Sequence, residues 1–332
     1  MKNQGLWDAL AYVYLTEEEL RYYSIEDENP LSQIKQRIYD DIWKEMREYG
    51  EREPPFLSSD SKYVKYGRKA KIIETNRVNT ARMKVESNGF KIFINNDIWH
   101  RRKRTLIAHE LGHTYLYDLD TEPIEPYYEK DRVADYLRRR EEMWHMDEGF
   151  SWDLARQLVV PTPVLDRYIP KTPSLYSFFR NTKKRFEITY SIMLKRLYWS
   201  TYNWDKGANY WNNSVFLVYP DSKIDEDDIP APKGNTEVYK GAEYKNITLK
   251  ESWDKLKPVV KYSLHQPNKL ITPDEVMGIS GYDTISTKNS TLRAEAKYLP
   301  NAGKLYILLI PEESLEQREH RTLKHRTLSS FT

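Results

Sequence analysis

Apolar residues recur at helical spacing in the N-terminal part of this 332-residue chain. The stripe consists of Leu31, Ile34, Ile38, Ile42 and Met46. A spacing of three or four residues predicts a helix with one buried face. Gly50 and the stretch EREPPFLSSDS predict the end of that helix and a linker. Residues 1–60 are therefore expected to form an N-terminal helical segment.

The next segment, ARMKVESNGFKIFINN, predicts a β-hairpin. Two alternating runs flank Asn88-Gly89, a dipeptide typical of tight hairpin turns. The second run, from Phe90 to Asn95, is expected to be a strand whose free edge could pair with an extended peptide. From Arg102 to Tyr117 the apolar positions return to helical spacing, which predicts a helix directly after the hairpin.

Helices are predicted in the middle of the chain and strands towards its C-terminus. A charged helix is expected over about Asp131 to Met143, and another from about Glu148 to Val160, where PTP ends it. FEITYSIMLKRLYWS predicts one more helix. Beyond residue 204 the runs SVFLVYP, EVYKG and KLYILLIP are typical of strands. This change predicts a domain over residues 61–204 and a β-containing accessory domain over residues 205–332.

The composition narrows the chemistry that the chain can perform. Apolar residues make up 39% and charged residues 31%, and the mean hydropathy is -0.80, values typical of a soluble globular protein. The chain has no cysteine, so a metal would have to be held by His, Asp or Glu. With no long apolar run and no signal-peptide pattern, neither a membrane span nor a membrane partner is expected, and a cytoplasmic location is the simplest interpretation.

The charge gives no general reason to expect nucleic-acid binding. The net charge is only +2, and the field of the whole protein is therefore weak. Two basic clusters, Arg101 to Arg104 and LRRREE at 137–142, are interpreted as solvated charged faces, and the alternative is that they attract an acidic substrate segment or a nucleic acid. Direct binding to nucleic acid is not expected.

The predicted helix after the hairpin contains the pattern H-E-x-x-H, within RTLIAHELGHTYLYDL. The four-residue spacing puts His109 and His113 on one helix face, where both can reach one metal ion. Glu110 lies beside them and can accept a proton from a water molecule at the metal. Chance would give this pattern about 0.01 times in a chain of this composition. Gly112, unfavourable inside a helix, indicates that another backbone packs closely there.

A catalytic zinc also needs a third protein ligand and one open position. One metallopeptidase class uses H-E-x-x-H-x-x-G-x-x-H, but Leu116 and Leu119 stand at the last two fixed places, which excludes that class. Glu148 would begin a helix, where the helix dipole favours a carboxylate. The downstream candidates that the residues leave open are Glu129, Glu141, Glu142, His145 and Glu148.

Several stretches resemble the ImmA/IrrE metallopeptidases over about residues 90–200. IFINNDIWHRRKRTLIAHELGH resembles their strand-loop-helix entry. EGFSWDLARQLVVP is similar to their pattern E-x-x-A-x-x-F-A-x-x-L-L-x-P, with departures at Ser151, Leu154 and Val159. FEITYSIMLKRL is similar to a later helix of the family. The resemblance implies Glu148 as the third zinc ligand. It also implies an α+β fold with a zincin-like domain, made of a small sheet, an active-site helix and a helical lobe.

The resemblance further implies a function. It implies an intracellular zinc endopeptidase with one Zn²⁺ per chain, held by His109, His113 and Glu148, and with Glu110 as the base. Its substrate would be a regulatory protein, such as a DNA-binding repressor of the helix-turn-helix type. The resemblance does not extend to residues 205–332. Their change to β-like runs predicts a separate domain, which we expect to sense a signal or recognise the substrate. The alternative is a catalytically weak or inactive zincin-fold protein that binds a regulator. Candidate donors to the oxyanion are Tyr115, Tyr127 and Tyr128. No oligomeric state is predicted.

Overall fold

The computed structural model describes residues 29–48, 52–57, 68, 70–126, 148–169, 173–198, 211, 214–220, 237–240, 249–264, 282–286, 291–299 and 303–311. These residues form both helices and sheets, which confirms a mixed α and β fold at the coarse level. None of the described helices is long and apolar enough to cross a membrane.

The chain divides into two compact units by the density of its internal contacts. The first comprises Met1–Ile169 and Phe179–Asn209, and the second comprises Pro170–Phe178 and Tyr210–Thr332. The division after residue 209 falls near the boundary expected after residue 204, but residues 170–178 belong with the C-terminal part. The roles assigned to residues 1–60, 61–204 and 205–332 stay predictions.

The first unit contains a three-stranded sheet, in the order β1-β3-β2. Strand β1 (Ala70–Glu74) runs parallel to β3 (Gly89–Ile94), and β2 (Ala81–Glu86) runs antiparallel to β3. The predicted hairpin is confirmed, with Ser87 and Asn88 in the turn, one residue earlier than expected. The prediction that Phe90 to Asn95 has a free edge is wrong. Strand β1, which the sequence analysis did not identify, covers the second side of β3.

The free edge of the hairpin lies on β2 instead. The N–H of Asn95 donates to the carbonyl of Thr80, and hydrogen-bonded and non-hydrogen-bonded pairs alternate along an antiparallel ladder. Ala81, Met83 and Val85 are therefore non-hydrogen-bonded positions, and their N–H groups point away from β3. Within the part of the chain that the structure describes, no strand pairs with this edge.

Helix α1 (Asn29–Glu48) buries the stripe that its sequence predicts. Ile38, Ile42 and Met46 are fully buried. The predicted linker packs against the helix. Phe56 is fully buried, and its ring lies edge-to-face against that of Trp43, with 5.6 Å between the ring centroids. The apolar side chains in EREPPFLSSDS thus belong to the core.

Helix α2 (His100–Thr114) follows the sheet and packs on it. Leu106 and Ile107 form an apolar cluster with Ile94 of β3, because they share the helix face that the sheet covers. A two-stranded ladder follows, β4 (Tyr117–Asp118) with β5 (Glu125–Pro126). The helix predicted over Asp131 to Met143 lies outside the described residues.

A group of helices follows the two-stranded ladder along the chain, and most of its residues belong to the first unit. Residues 148–159 are helical (α3), which confirms the helix predicted up to PTP. Helix α4 (Thr162–Tyr168), helix α5 (Leu175–Arg180), a π-helical segment (Asn181–Arg185) and α6 (Tyr190–Tyr198) follow. Arg196 of α6 is buried and donates from Nε to the carbonyl of Val160 at 3.0 Å. This bond holds α6 against the end of α3.

The second unit is built on a five-stranded antiparallel sheet, in the order β7-β6-β10-β9-β8. Its strands are β6 (Val215–Pro220), β7 (Glu237–Lys240), β8 (Tyr282–Ser286), β9 (Thr291–Leu299) and β10 (Lys304–Pro311). The three β-like runs of the sequence form β6, β7 and β10. Helix α7 (Leu249–Leu264), which was not predicted, packs on the sheet through Trp253, Leu256 and Val260.

Residues 173–178 are held by side chains of this second unit. The N–H of Leu175 donates to Oε2 of Glu295 at 2.7 Å. Phe178 is fully buried, and its ring centroid lies 5.0 Å from that of Phe216 on β6. These contacts explain why the segment groups with the C-terminal sheet.

Candidate metal centre

The candidate site lies where α2 meets α3. A Cβ added at Gly112 would lie 3.0 Å from Cα and 3.1 Å from the carbonyl oxygen of Ser151. Both are backbone atoms of α3, and a side chain at this position would force the two helices apart. The close backbone approach expected at Gly112 is confirmed. It lets the histidines of α2 reach the carboxylate at the start of α3.

His109, His113 and Glu148 bring their side chains together at this crossing. The two Nε2 atoms of His109 and His113 are 3.2 Å apart. Nε2 of His109 lies 3.2 Å from Oε2 of Glu148, and Nε2 of His113 lies 3.4 Å from Oε1. A tetrahedral zinc with bonds of about 2.0–2.1 Å separates its ligand atoms by about 3.3 Å. The spacing of these three donors therefore fits a zinc ion.

The donor set is also of a kind that zinc uses. Two imidazoles and one carboxylate leave a fourth position open, as in catalytic zinc sites. Among the described residues, no other group of three His, Asp or Glu side chains gathers so closely. The predicted ligands thus lie close enough to bind one metal ion.

The electrostatics of the site suit metal binding. Burial and, to a smaller extent, the charge of His113 lower the pKa of His109 to about 4, although the charge of Glu148 opposes the shift. The hydrogen bond with His113 lowers the pKa of Glu148, against the effect of its partial burial. At neutral pH His109 is therefore neutral and Glu148 is ionised. These are the forms that metal ligands must take.

Glu110 lies buried between α2 and the free edge of β2, with 7% of its surface exposed. Burial raises its pKa, while the charge of His113 and a hydrogen bond from the backbone N–H of Met83 lower it. Met83 is one of the three positions whose N–H points away from β3. A buried carboxylate with a raised pKa beside a metal-ligand group is typical of a general base.

Trp152 belongs to the site and was missed by the sequence analysis. Its indole stacks on His109, with ring centroids 4.1 Å apart and planes 25° apart. It also lies near Glu148, where a hydrogen bond from the indole contributes to the lowered pKa of that carboxyl. The signal was available, because Trp152 follows Glu148 by four residues and therefore shares its helix face.

The remaining sequence candidates do not join the cluster or cannot be placed. Tyr115 ends α2 and is buried, and the guanidinium of Arg68 lies 4.6 Å from its ring centroid. Leu116 is buried in the core. The candidates that lie outside the described residues are Glu129, Glu141, Glu142, His145, Tyr127 and Tyr128.

The basic cluster at the start of α2 is largely occupied by local partners. Lys103 pairs with Glu74 at 2.5 Å, and Arg104 pairs with Glu187 at 2.8 Å. Arg101 lies over the ring of Trp99 at 4.5 Å. These contacts favour the interpretation of Arg101 to Arg104 as a surface charge cluster. The second cluster, at 137–142, lies outside the described residues.

Comparisons with known proteins add little to this geometry. No protein-family model matches the sequence, and no curated protein matches it. Among solved structures, a transcriptional regulator from Mycobacterium tuberculosis is similar over 92% of this chain and 80% of that chain. The TM-score is 0.46 and the sequence identity is 12%. A likeness at this level carries no argument about the function of the present chain.

Proposed function

We propose that the chain is a zinc-dependent endopeptidase of the zincin type, with one Zn²⁺ held by His109, His113 and Glu148. The observation that carries the proposal is the convergence of these three donor groups at separations of 3.2–3.4 Å. The buried Glu110 beside them supports hydrolysis over a purely structural metal site, because a structural site has no use for a base. The resemblance to ImmA/IrrE metallopeptidases points to the same chemistry.

The residues of the site have different roles in hydrolysis. When bound, zinc supplies a Lewis acid that polarises a peptide carbonyl and lowers the pKa of water towards about 7. Glu110 accepts the proton of the attacking water and passes it to the leaving amine. Its raised pKa makes it a better proton acceptor than an exposed glutamate. His109, His113 and Glu148 act as ligands and transfer no proton.

The free edge of β2 is the place proposed for the substrate backbone. An extended peptide can add to an open strand edge through main-chain hydrogen bonds. Met83 puts that edge beside the proposed base, because its N–H bonds Glu110, and the N–H groups of Ala81 and Val85 would pair with the peptide. A folded helix or a tight loop cannot form such a ladder, so the substrate would be an extended or unfolded segment. A DNA-binding repressor of the helix-turn-helix type is the substrate class that the ImmA/IrrE resemblance implies.

The test combines metal content with one variant of the base. Purified wild-type protein should contain about one zinc per chain, and His113→Ala should contain none. Glu110→Gln should keep zinc but lose cleavage by about 10²–10⁴-fold, because it removes only the base. Glu122→Gln alters an exposed glutamate of the same unit and serves as the matched control. Pull-down with Glu110→Gln should then retain the uncut target.

Two results would contradict the proposal. If the wild-type chain holds no metal and takes up no added Zn²⁺, the proposed metal centre does not exist. If zinc binds but Glu110→Gln cuts the retained target as fast as the wild type, Glu110 is not the base. Retention of a partner that neither protein cuts would favour the non-enzymatic alternative.

A further inference from the structure

Trp152 contacts two of the three proposed metal ligands. Its indole stacks on His109 at 4.1 Å, and its N–H, the only hydrogen-bond donor of an indole, is the group that can bond Glu148. The ring also packs against the cluster of Ile94, Leu106 and Ile107. One rigid side chain, fixed by the core, thus touches a ligand on α2 and a ligand on α3.

Among the described residues, none gives His109 the hydrogen-bonded support that metal-bound histidines usually have. Such a histidine commonly donates its second ring nitrogen to a carboxylate, a carbonyl or a water, which fixes the ring plane. In His109, Nε2 is the atom that faces His113 and Glu148. Nδ1 is buried and has no hydrogen-bond partner among the described residues. Within the described part of the chain, the contact that orients the ring is packing, and Trp152 provides the flat surface against it.

We propose that Trp152 is a positioning residue of the metal centre, which holds the His109 ring by stacking and the Glu148 carboxylate by its indole N–H. This inference rests on the proposed metal centre and adds a residue to which the ImmA/IrrE resemblance gives no role. Both ligands are ordered before the metal arrives, so less conformational freedom is lost on binding. Loss of an outer partner of this kind typically weakens metal binding about 10–100-fold.

Two substitutions separate the two contacts. Trp152→Phe keeps a ring that can stack on His109 and removes the N–H, whereas Trp152→Leu removes both. Trp43→Phe is the matched control, because Trp43 is a buried tryptophan of the same unit whose ring contacts, among the described residues, are with Phe56 and Arg47. All variants are prepared as full-length, metal-free protein. Their melting transitions without metal show whether each one folds.

The readouts are zinc affinity and the absorption of bound Co²⁺. In competition with a chelating dye, Trp152→Phe should bind Zn²⁺ about tenfold and Trp152→Leu about a hundredfold more weakly than the wild type. Trp43→Phe should match the wild type. The visible band of Co²⁺, strong in tetrahedral and weak in octahedral surroundings, should lose intensity in Trp152→Leu. A residue with a merely structural role would change melting but neither of these signals.

The outcomes distinguish this inference from the proposed function. If wild-type protein binds zinc and Trp152→Phe binds it equally well, the inference is wrong and the metal centre stands. If Trp43→Phe loses as much affinity as Trp152→Phe, the effect is a general loss of packing and the inference is wrong. If wild-type protein binds no zinc, both fail. If Trp152→Leu does not fold, the zinc affinity of Trp152→Phe alone tests the inference.

Discussion

At the scale of single residues, Glu110 and Glu148 show how position assigns different tasks to the same side chain. Glu148 lies within 3.4 Å of both histidines, and its pKa is lowered, which keeps it ionised as a ligand. Glu110 is more deeply buried, and its pKa is raised, which favours proton transfer. The pattern H-E-x-x-H identifies the first glutamate by spacing alone. Glu148 could be identified as a ligand only from the resemblance to a known family or from the fold.

The assignment of Glu148 as a ligand can be tested directly. Glu148→Ala should lose most of its zinc and its activity, because a two-histidine site retains too few donors. Asp153→Asn is the control, since Asp153 lies on the same helix and pairs with Arg156 at 2.7 Å. Elemental analysis after dialysis measures the zinc. If Glu148→Ala holds zinc as well as the wild type, the third ligand is a different residue, and His145 is the next to test.

The lowered pKa of His109 predicts that the metal-free protein loses stability in acid. The folded-state value is about 4 and the ordinary value is 6.5. As the pH falls from 6.5 towards 4, the unfolded chain takes up the proton first, and unfolding becomes more favourable. Chemical denaturation at several pH values measures this slope.

The variants for this pH test must remove the effect of Glu110, which opposes that of His109. The raised pKa of Glu110 means that the folded state takes up the proton of this carboxyl first, which favours folding in acid. The comparison is therefore made between Glu110→Gln and the double variant Glu110→Gln with His109→Phe. The double variant, which keeps a ring against Trp152, should show the shallower slope. Equal slopes would mean that His109 is not the group responsible.

At the scale of elements, the contact between α2 and α3 sets the distance between ligands. Gly112→Ala would place a Cβ 3.0 Å from Cα of Ser151, and the backbone of α3 would have to move. Overpacking costs about 1–3 kcal/mol, which outweighs the helix propensity of about 1 kcal/mol gained from alanine. Gly112→Ala should therefore melt at a lower temperature and bind zinc more weakly.

Gly149→Ala is a matched control on the neighbouring helix. A Cβ at Gly149 meets nothing within 4 Å, so this variant should keep its zinc affinity and gain up to about 1 kcal/mol. Calorimetry with and without zinc measures both variants. If Gly112→Ala is as stable and as tight a zinc binder as Gly149→Ala, the close approach of α2 and α3 does not set the site.

The elements also show what the sequence could and could not predict. Local periodicity identified α1, the hairpin, α2 and α3, because each has its signal within a few neighbouring residues. It missed β1, whose pairing with β3 joins positions such as Ile72 and Ile92, and it therefore gave β3 a free edge. In the site, spacing identified His109, Glu110 and His113. Trp152 and the N–H of Met83 act through contacts between elements, which periodicity along one element does not reveal.

At the scale of the whole molecule, the two compact units raise the question of what the second one does. The sequence predicts that the C-terminal region selects the substrate or senses a signal and takes no part in hydrolysis. Within the described residues, every proposed ligand and the proposed base belong to the first unit. A protein truncated after residue 209 should therefore fold, hold zinc and cut an unstructured peptide.

The truncation must also deal with residues 170–178, which pack in the second unit. Without that unit, Phe178 loses its ring contact with Phe216 and becomes an exposed aromatic surface. A truncated protein that carries Phe178→Ser should therefore be more soluble than one without the substitution. In the full-length protein, Phe178→Ser should instead lower the stability. Solubility and the zinc content of the monomer measure the difference.

The decisive comparison uses the truncated and full-length proteins on two substrates from the true target, a short unstructured peptide and the intact protein. If the C-terminal region selects the target, truncation should leave cleavage of the peptide within a few-fold and abolish either the preference for the intact target or its dependence on a signal. The peptide needs only the free edge of β2, the metal centre and Glu110, all in the first unit, whereas the intact target must first be recognised and present an extended segment. If the truncated protein holds zinc and cuts both substrates as well as the full chain under every condition tried, the C-terminal region has no such role. If it fails to fold even with Phe178→Ser, the C-terminal region is part of the structural core of the enzyme, and the proposed division of labour is wrong.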